Sequence, residues 1–227
     1  MYGVIMSNMV EILNNRFDEI QIPPEYQKLW DEINYPIQSK KASFYHLTDS
    51  QRQQIFDKIS KRAYYLTTIA KSFGAKNIVE VGTAEGWQFF SFAEYCKQNG
   101  GNVWSCDVAD KYHKGFGEMY SDTASFTLGT SAELAKKLEA ENVKVDLFYI
   151  DGSHEKGAVI EDIKNLKKFQ TEDSLPVWIF DDFDERFGCY QDILKITKSA
   201  PQYMVYSPGK TASNNPTHQV VMRGRFQ

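Results

Sequence analysis

The chain has 227 residues, of which 42% are hydrophobic, 14% aromatic and 25% charged, with a formal net charge of −4. This composition excludes a disordered or collagen-like chain, and the negative balance argues against a broad electrostatic nucleic-acid binder. No apolar run reaches the ~20 residues that span a membrane, the start lacks the basic and apolar regions of a signal peptide, and Cys96, Cys106 and Cys189 form no CxxC pair, so a cytoplasmic protein without zinc knuckle or disulfide framework is expected.

The length suits one domain with an appendage. Residues 1–47 interleave Pro23, Pro24 and Pro36 with Trp30, Tyr35, Phe44 and Tyr45. They read as an N-terminal arm packed on the core or as a lid over a substrate pocket, and the two roles are compatible. Residues 48–227 read as the single folded domain. A helix opens at Thr48, with Gln51 at the capping-box distance. Ile55, Ile59, Ala63, Leu66 and Ala70 form its apolar stripe, and Phe73-Gly74 closes it.

Strands and helices then alternate. The pattern predicts strands over 77–82, 102–107, 124–129, 144–151, 176–182, 202–206 and 217–223. It predicts helices over 87–98, 131–141, 156–170 and 186–199, and leaves 110–124 as a loop. Continuous apolar strands separated by helices imply an α/β fold: a doubly wound, mostly parallel, seven-stranded Rossmann-like sheet covered on both faces. Ligands bind such sheets at the carboxyl ends of the strands, and every candidate residue below falls at one of those ends.

The first strand runs into Glu80-Val81-Gly82-Thr83-Ala84-Glu85-Gly86. A glycine turn there lets a ligand approach the backbone. The third glycine of a dinucleotide fingerprint is missing, since Trp87 and Gln88 follow, and Glu80 would repel a diphosphate. The turn suits a cationic or hydroxyl-bearing ligand better. Asp107 ends the second strand, 21 residues after Gly86, where an acid either takes two ribose hydroxyls or caps the strand end. The glycine turn, Asp107 and the Gly129-Thr130-Ser131 loop together resemble the class I S-adenosylmethionine-dependent methyltransferases, over roughly residues 50–225. The resemblance implies S-adenosylmethionine as cofactor, held by Glu80, Gly82, Thr83, Gly86, Asp107, Ser131 and Asp151.

Two further strands end in carboxylates: Tyr149-Ile150-Asp151-Gly152-Ser153-His154 and Ile179-Phe180-Asp181-Asp182. Neighbouring strands lie ~4.8 Å apart, so Asp151, Asp181 and Asp182 would crowd one volume and repel each other. A divalent cation relieves that repulsion, and an all-oxygen set suits Mg²⁺, Mn²⁺ or Ca²⁺ over zinc. Each acid can instead cap a helix, and strand alternation turns one of Asp181 and Asp182 away from the other. His154, three residues past Asp151, is either a surface histidine or a base beside the cation. His46, His113 and His218 have weaker contexts.

The I-D-G-x-H element, followed by a strand ending D-D, resembles the metal-dependent small-molecule O-methyltransferases, closest to the macrolide and aminocoumarin sugar group. That resemblance implies Mg²⁺ on Asp151, Asp181 and Asp182, with His154 or Asp151 as the base. Catechol-type relatives carry Asp-Asn where this chain has Asp181-Asp182, which argues against a catechol acceptor. The expected activity is O-methylation of a small polar molecule such as a sugar, with the loop 110–124 and the arm shaping the acceptor pocket. No nucleic-acid or membrane partner is expected, and a homo-oligomer is left open. Rival readings are a metal-independent methyltransferase and a non-catalytic module of the same fold. A short-chain dehydrogenase fails, because its Tyr-x-x-x-Lys spacing occurs only at Tyr206 and Lys210, across Pro208 and Gly209.

Overall fold

The computed structural model describes Pro24 and residues 48–112, 114–199, 204–206 and 219–227. The expected N-terminal arm, Pro24 apart, lies outside them. Helix α1 spans Asp49–Phe73, starts right after Thr48 and ends at Gly74. Ala63, Leu66 and Ala70 of its stripe are buried, together with Tyr65 and Ile69.

The strands are β1 (Asn77–Val81), β2 (Asn102–Asp107), β3 (Ala124–Leu128), β4 (Leu147–Ile150), β5 (Val177–Phe180), β6 (Met204–Tyr206) and β7 (Val220–Arg223). They form one sheet in the order β3-β2-β1-β4-β5-β7-β6. β1 to β5 run parallel to one another, and β7 runs antiparallel to both β5 and β6. The strand order reverses between β1 and β4, which is where an open α/β sheet presents its ligand crevice.

The helices after α1 are α2 (Trp87–Asn99), α3 (Lys114–Met119), α4 (Ser131–Ala140), α5 (Ala158–Leu166) and α6 (Tyr190–Ser199). Alternation along the strands splits the core in two. Val79, Phe148, Ile150, Trp178 and Phe180 face α4, α5 and α6, and Phe148 stacks on Trp178 at 3.9 Å between ring centroids. Ile78, Leu147, Tyr149, Val177 and Ile179 face α1 and α2.

Several boundaries differ from the sequence expectation, and three of the differences are the most telling. The strand expected over 144–151 narrows to Leu147–Ile150, because Val145 makes only an isolated bridge and Asp146 Oδ2 accepts the amides of Lys76 and Asn77, each at 3.0 Å. The helix expected from residue 186 starts at Tyr190, since Asp184 holds the Arg186 side chain and backbone in a turn. The loop 110–124 contains the short helix α3.

Candidate functional site

The site is built where β1 and β4 end side by side. Val81 pairs with Ile150, and Asp151 N donates to Val81 O at 2.8 Å. The chain then turns at Gly82 with φ +96°, and Gly82 N donates to Cys106 O at 2.8 Å. A Cβ at Gly82 would stand 1.9 Å from Asp151 O. Glycine is therefore demanded first by the protein's own backbone. Asp107 fastens the same turn: its Oδ2 accepts from Ala84 N at 2.8 Å and its Oδ1 from Ala109 N at 2.9 Å. Gly86 N donates to Thr83 O at 2.8 Å, which closes the turn into α2.

A cavity of about 130 Å³ opens above this junction, bounded by Glu80, Gly82 and Thr83 from β1 and its turn, Gln88 from α2, Arg62 from α1, Tyr149 from β4 and Asp151 just past its end. The Gln88 Nε2 is buried and has no hydrogen-bond partner among the described residues. Glu80 is 1% exposed, and Ser105 Oγ donates to its Oε2 at 2.5 Å. Ser105 Oγ also lies 2.6 Å from Thr83 Oγ1. Burial pushes the Glu80 carboxyl up to about 8, against the pull of the Ser105 hydrogen bond and with a smaller push from Asp151 and Asp107. A carboxyl poised at that value ionises readily when a cationic group enters.

Arg62 ties the acids to the cavity. Its Nη2 lies 2.8 Å from Asp151 Oδ2 and also contacts the Asp181 carboxylate and the Tyr149 hydroxyl. The Tyr149 hydroxyl lies 2.8 Å from Asp151 Oδ2 and 3.0 Å from Asp181 Oδ2, so two carboxylates share its single proton. Burial holds Tyr149 well above the usual phenol range and so neutral. Burial also opposes the charge on Arg62, but the Asp151 and Asp182 carboxylates and the hydrogen bond to Asp151 favour it, and the guanidinium stays charged.

The expected trio Asp151, Asp181 and Asp182 does not converge as a trio. Asp182 has φ +57°, an αL conformation, and this bend sends the two neighbouring carboxylates to different places. Asp181 turns inward, 2% exposed, to Arg62 and Tyr149. Asp182 meets His154, with Oδ2 2.7 Å from Nε2, and the imidazole packs on Phe187 at 4.6 Å between ring centroids. Asp151, His154 and Asp182 are the residues whose ligand atoms lie within 4.8 Å of one another.

Two other expected positions lie elsewhere. Ser131 is buried at the first turn of α4 and faces α5: its Oγ accepts from Asn165 Nδ2 at 3.0 Å and donates to Asp162. Like Gly86 and Asp107, it does not line the cavity at Gly82. The 110–124 segment, through Tyr112, Gly117, Glu118 and Ser121, borders a second cavity of about 290 Å³ with Phe89 and Phe126, and that cavity shares no lining residue with the first. Sequence reasoning missed Arg62 and Tyr149. Tyr149 carried a signal, since it lies two residues before Asp151 and so on the same face of β4. Arg62 carried none, being one cation beside the apolar stripe of α1.

Residues 79–183 match a family described as a methyltransferase domain. No curated protein sequence matches the chain. Among solved structures, the fold is similar to an O-methyltransferase from Bacillus cereus in complex with SAH, with 15% identity, a TM-score of 0.62, and coverage of 92% of this chain and 94% of that one. It is similar to the SAH-bound methyltransferase PaMTH1 of Podospora anserina, with 13% identity, a TM-score of 0.61, and coverage of 99% and 96%. It is also similar to the O-methyltransferase TomG of Streptomyces achromogenes, solved with SAM, with 11% identity, a TM-score of 0.58, and coverage of 92% of each chain. At these identities the likeness is one of fold.

Proposed function

We propose that this chain is a class I S-adenosylmethionine-dependent methyltransferase that transfers the methyl group to a hydroxyl of a small polar acceptor such as a sugar, a reading its partial domain match and its fold support. The observation that carries the reading is the cavity at the β1–β4 switch point, where the Gly82 turn, buried Glu80 and Asp151 meet. Glu80 and Asp151 offer carboxylates to the ammonium of the cofactor's amino-acid end. Asp107, at the end of β2, offers its carboxylate to the ribose.

The acceptor side lies at β4 and β5. His154 and Asp182 form a base and its orienter: Asp182 holds Nε2 at 2.7 Å, which leaves Nδ1 to accept a proton from the acceptor hydroxyl. The carboxylate then stabilises the imidazolium that results. Asp151, between this pair and the cavity, is the other candidate for the base. Holding the hydroxyl oxygen in line with the sulfonium methyl supplies much of the acceleration.

Two carboxylates and an imidazole nitrogen within 4.8 Å of one another are a donor set that fits a divalent cation. Asp151, Asp182 and His154 would hold it, in which case His154 serves as a ligand in place of its role as base, and the cation's chemistry when bound is to polarise the acceptor oxygen and ease loss of its proton. One observation favours a metal-free variant of the same reaction: Arg62 already compensates Asp151 and Asp181.

The test is calorimetric titration with S-adenosylhomocysteine, followed by methyl transfer from labelled S-adenosylmethionine to a panel of sugars and polyols, with and without EDTA. Binding and transfer are expected. A chain that binds no S-adenosylhomocysteine at millimolar concentration would be a non-catalytic module of this fold. Transfer indifferent to EDTA would assign the metal-free variant.

A further inference from the structure

We propose that Arg62 is an internal cation that competes with a divalent cation for Asp151 and withholds Asp181 from it. This inference rests on the reading of Asp151, His154 and Asp182 as a cation seat, and it concerns a residue far from them in sequence. Asp181 is 2% exposed, and a carboxylate that deep stays ionised only with a close positive partner and hydrogen bonds. Arg62 is that partner, and the Tyr149 hydroxyl at 3.0 Å is the hydrogen bond. The same guanidinium reaches Asp151 Oδ2 at 2.8 Å. Asp151 thus stands between two claims, Arg62 on the α1 side and the His154–Asp182 pair on the other.

A divalent cation drawn to Asp151 meets a fixed positive charge on the same carboxylate. Like charges a few ångströms apart repel by several kcal/mol even at an effective dielectric of ~20. The bound cation therefore weakens the Arg62–Asp151 contact, and Arg62 weakens the bound cation. Asp181 stays with Arg62 as long as the guanidinium remains. Removing the guanidinium releases both carboxylates and turns a seat of two acids and a histidine into one that also draws on Asp181. A lysine substitutes only in part, because an ammonium lacks the planar fork that bridges two carboxylates.

The experiment titrates the full chain with Mn²⁺ alone, following free Mn²⁺ by electron paramagnetic resonance, and measures S-adenosylhomocysteine affinity and thermal melting on every variant. Arg62→Met should bind Mn²⁺ at least tenfold tighter than the parent, and Arg62→Lys should fall between. Asp181→Asn should change the parent's Mn²⁺ affinity less than threefold, and should weaken binding at least threefold more in the Arg62→Met background. Asp182→Asn should weaken the parent at least tenfold. If Arg62→Met fails to fold, Arg62→Lys alone decides, and a Mn²⁺ affinity equal to the parent's overturns the competition. An Asp181→Asn loss as large as that of Asp182→Asn overturns the withholding of Asp181. No Mn²⁺ binding by any protein, with S-adenosylhomocysteine still bound, overturns the seat and this inference but leaves the methyltransferase reading intact. Loss of S-adenosylhomocysteine binding in the parent itself removes that reading instead.

Discussion

Replacing Gly82 with alanine tests whether the β1–β4 junction is set by the chain's own backbone. The new Cβ would stand 1.9 Å from Asp151 O, 2.6 Å from Asp151 C and 3.1 Å from Gly152 Cα. All three are backbone atoms, so no rotamer change relieves the clash. The strand ends must part by about an ångström to reach ordinary contact, and the 2.8 Å bond from Asp151 N to Val81 O lies in the way. Overpacking of this kind costs about 1–3 kcal/mol, the positive φ adds roughly 1–2 for a residue with a Cβ, and the strained hydrogen bond about another 1. The natural control is Gly74→Ala, since Gly74 has φ +64° but nothing within 4 Å of its would-be Cβ. It should lose only the backbone share, about 1–2 kcal/mol. With roughly 2–4 °C per kcal/mol for a chain of this size, Gly82→Ala should melt clearly below Gly74→Ala and bind S-adenosylhomocysteine weakly. Equal melting temperatures for the two variants, with cofactor affinity kept, would refute the close-approach argument.

Three further outcomes are expected. Burial raises the Glu80 carboxyl to about 8, so between the ordinary carboxylate range and that value the folded chain holds a proton that the unfolded chain releases. Stability should therefore fall as pH rises from about 4.5 to 8, and Glu80→Gln should flatten that fall in urea melts at either end of the window. A variant with the parent's slope would clear Glu80 of the effect. Asp107→Ala should weaken S-adenosylhomocysteine by about 1.5–3 kcal/mol through loss of a charge-assisted hydrogen bond, and lower the melting temperature a little because Ala84 N and Ala109 N lose their acceptor; an unchanged dissociation constant by calorimetry would release Asp107 from the site. Gln219 is 0% exposed, and neither its Nε2 nor its Oε1 has a partner among the described residues. Gln219→Met should stabilise the chain by about 1–3 kcal/mol, the desolvation cost of an unsatisfied buried polar group, and a lower melting temperature would show that the amide is bonded after all.

Much of the fold was legible because the central strands are buried on both faces. The runs NIVEV, NVWSCD and VWIF have no alternation to misread, and the strands found there match the runs to within one or two residues. Boundaries slipped where a side chain took over a backbone partner. Asp146 binds the amides that open β1 and so delays β4. Asp184 holds Arg186 and so delays α6. Lys114–Met119 folds as a helix although two of its six residues, Gly115 and Gly117, are poor helix formers, and local pattern gave no sign of it.

The site was legible only as far as strand ends reveal it. Parallel register brings Gly82 to Asp151, and Asp151 toward Asp181, and both juxtapositions follow from which strands are neighbours. The direction of each carboxylate does not follow from register. It depends on the αL bend at Asp182, which a side-chain-bearing residue adopts rarely and which no glycine announces. It depends also on charge balance, which is a property of the whole neighbourhood. Crowded carboxylates require a positive partner, and from the strands alone a bound divalent cation is the evident one. A guanidinium delivered from α1, 89 residues before Asp151 in the chain, meets the same requirement for Asp151 and Asp181. Acids converging at the ends of parallel strands thus specify that a positive charge must come, and the helix packed over those ends decides how much of it the protein supplies itself.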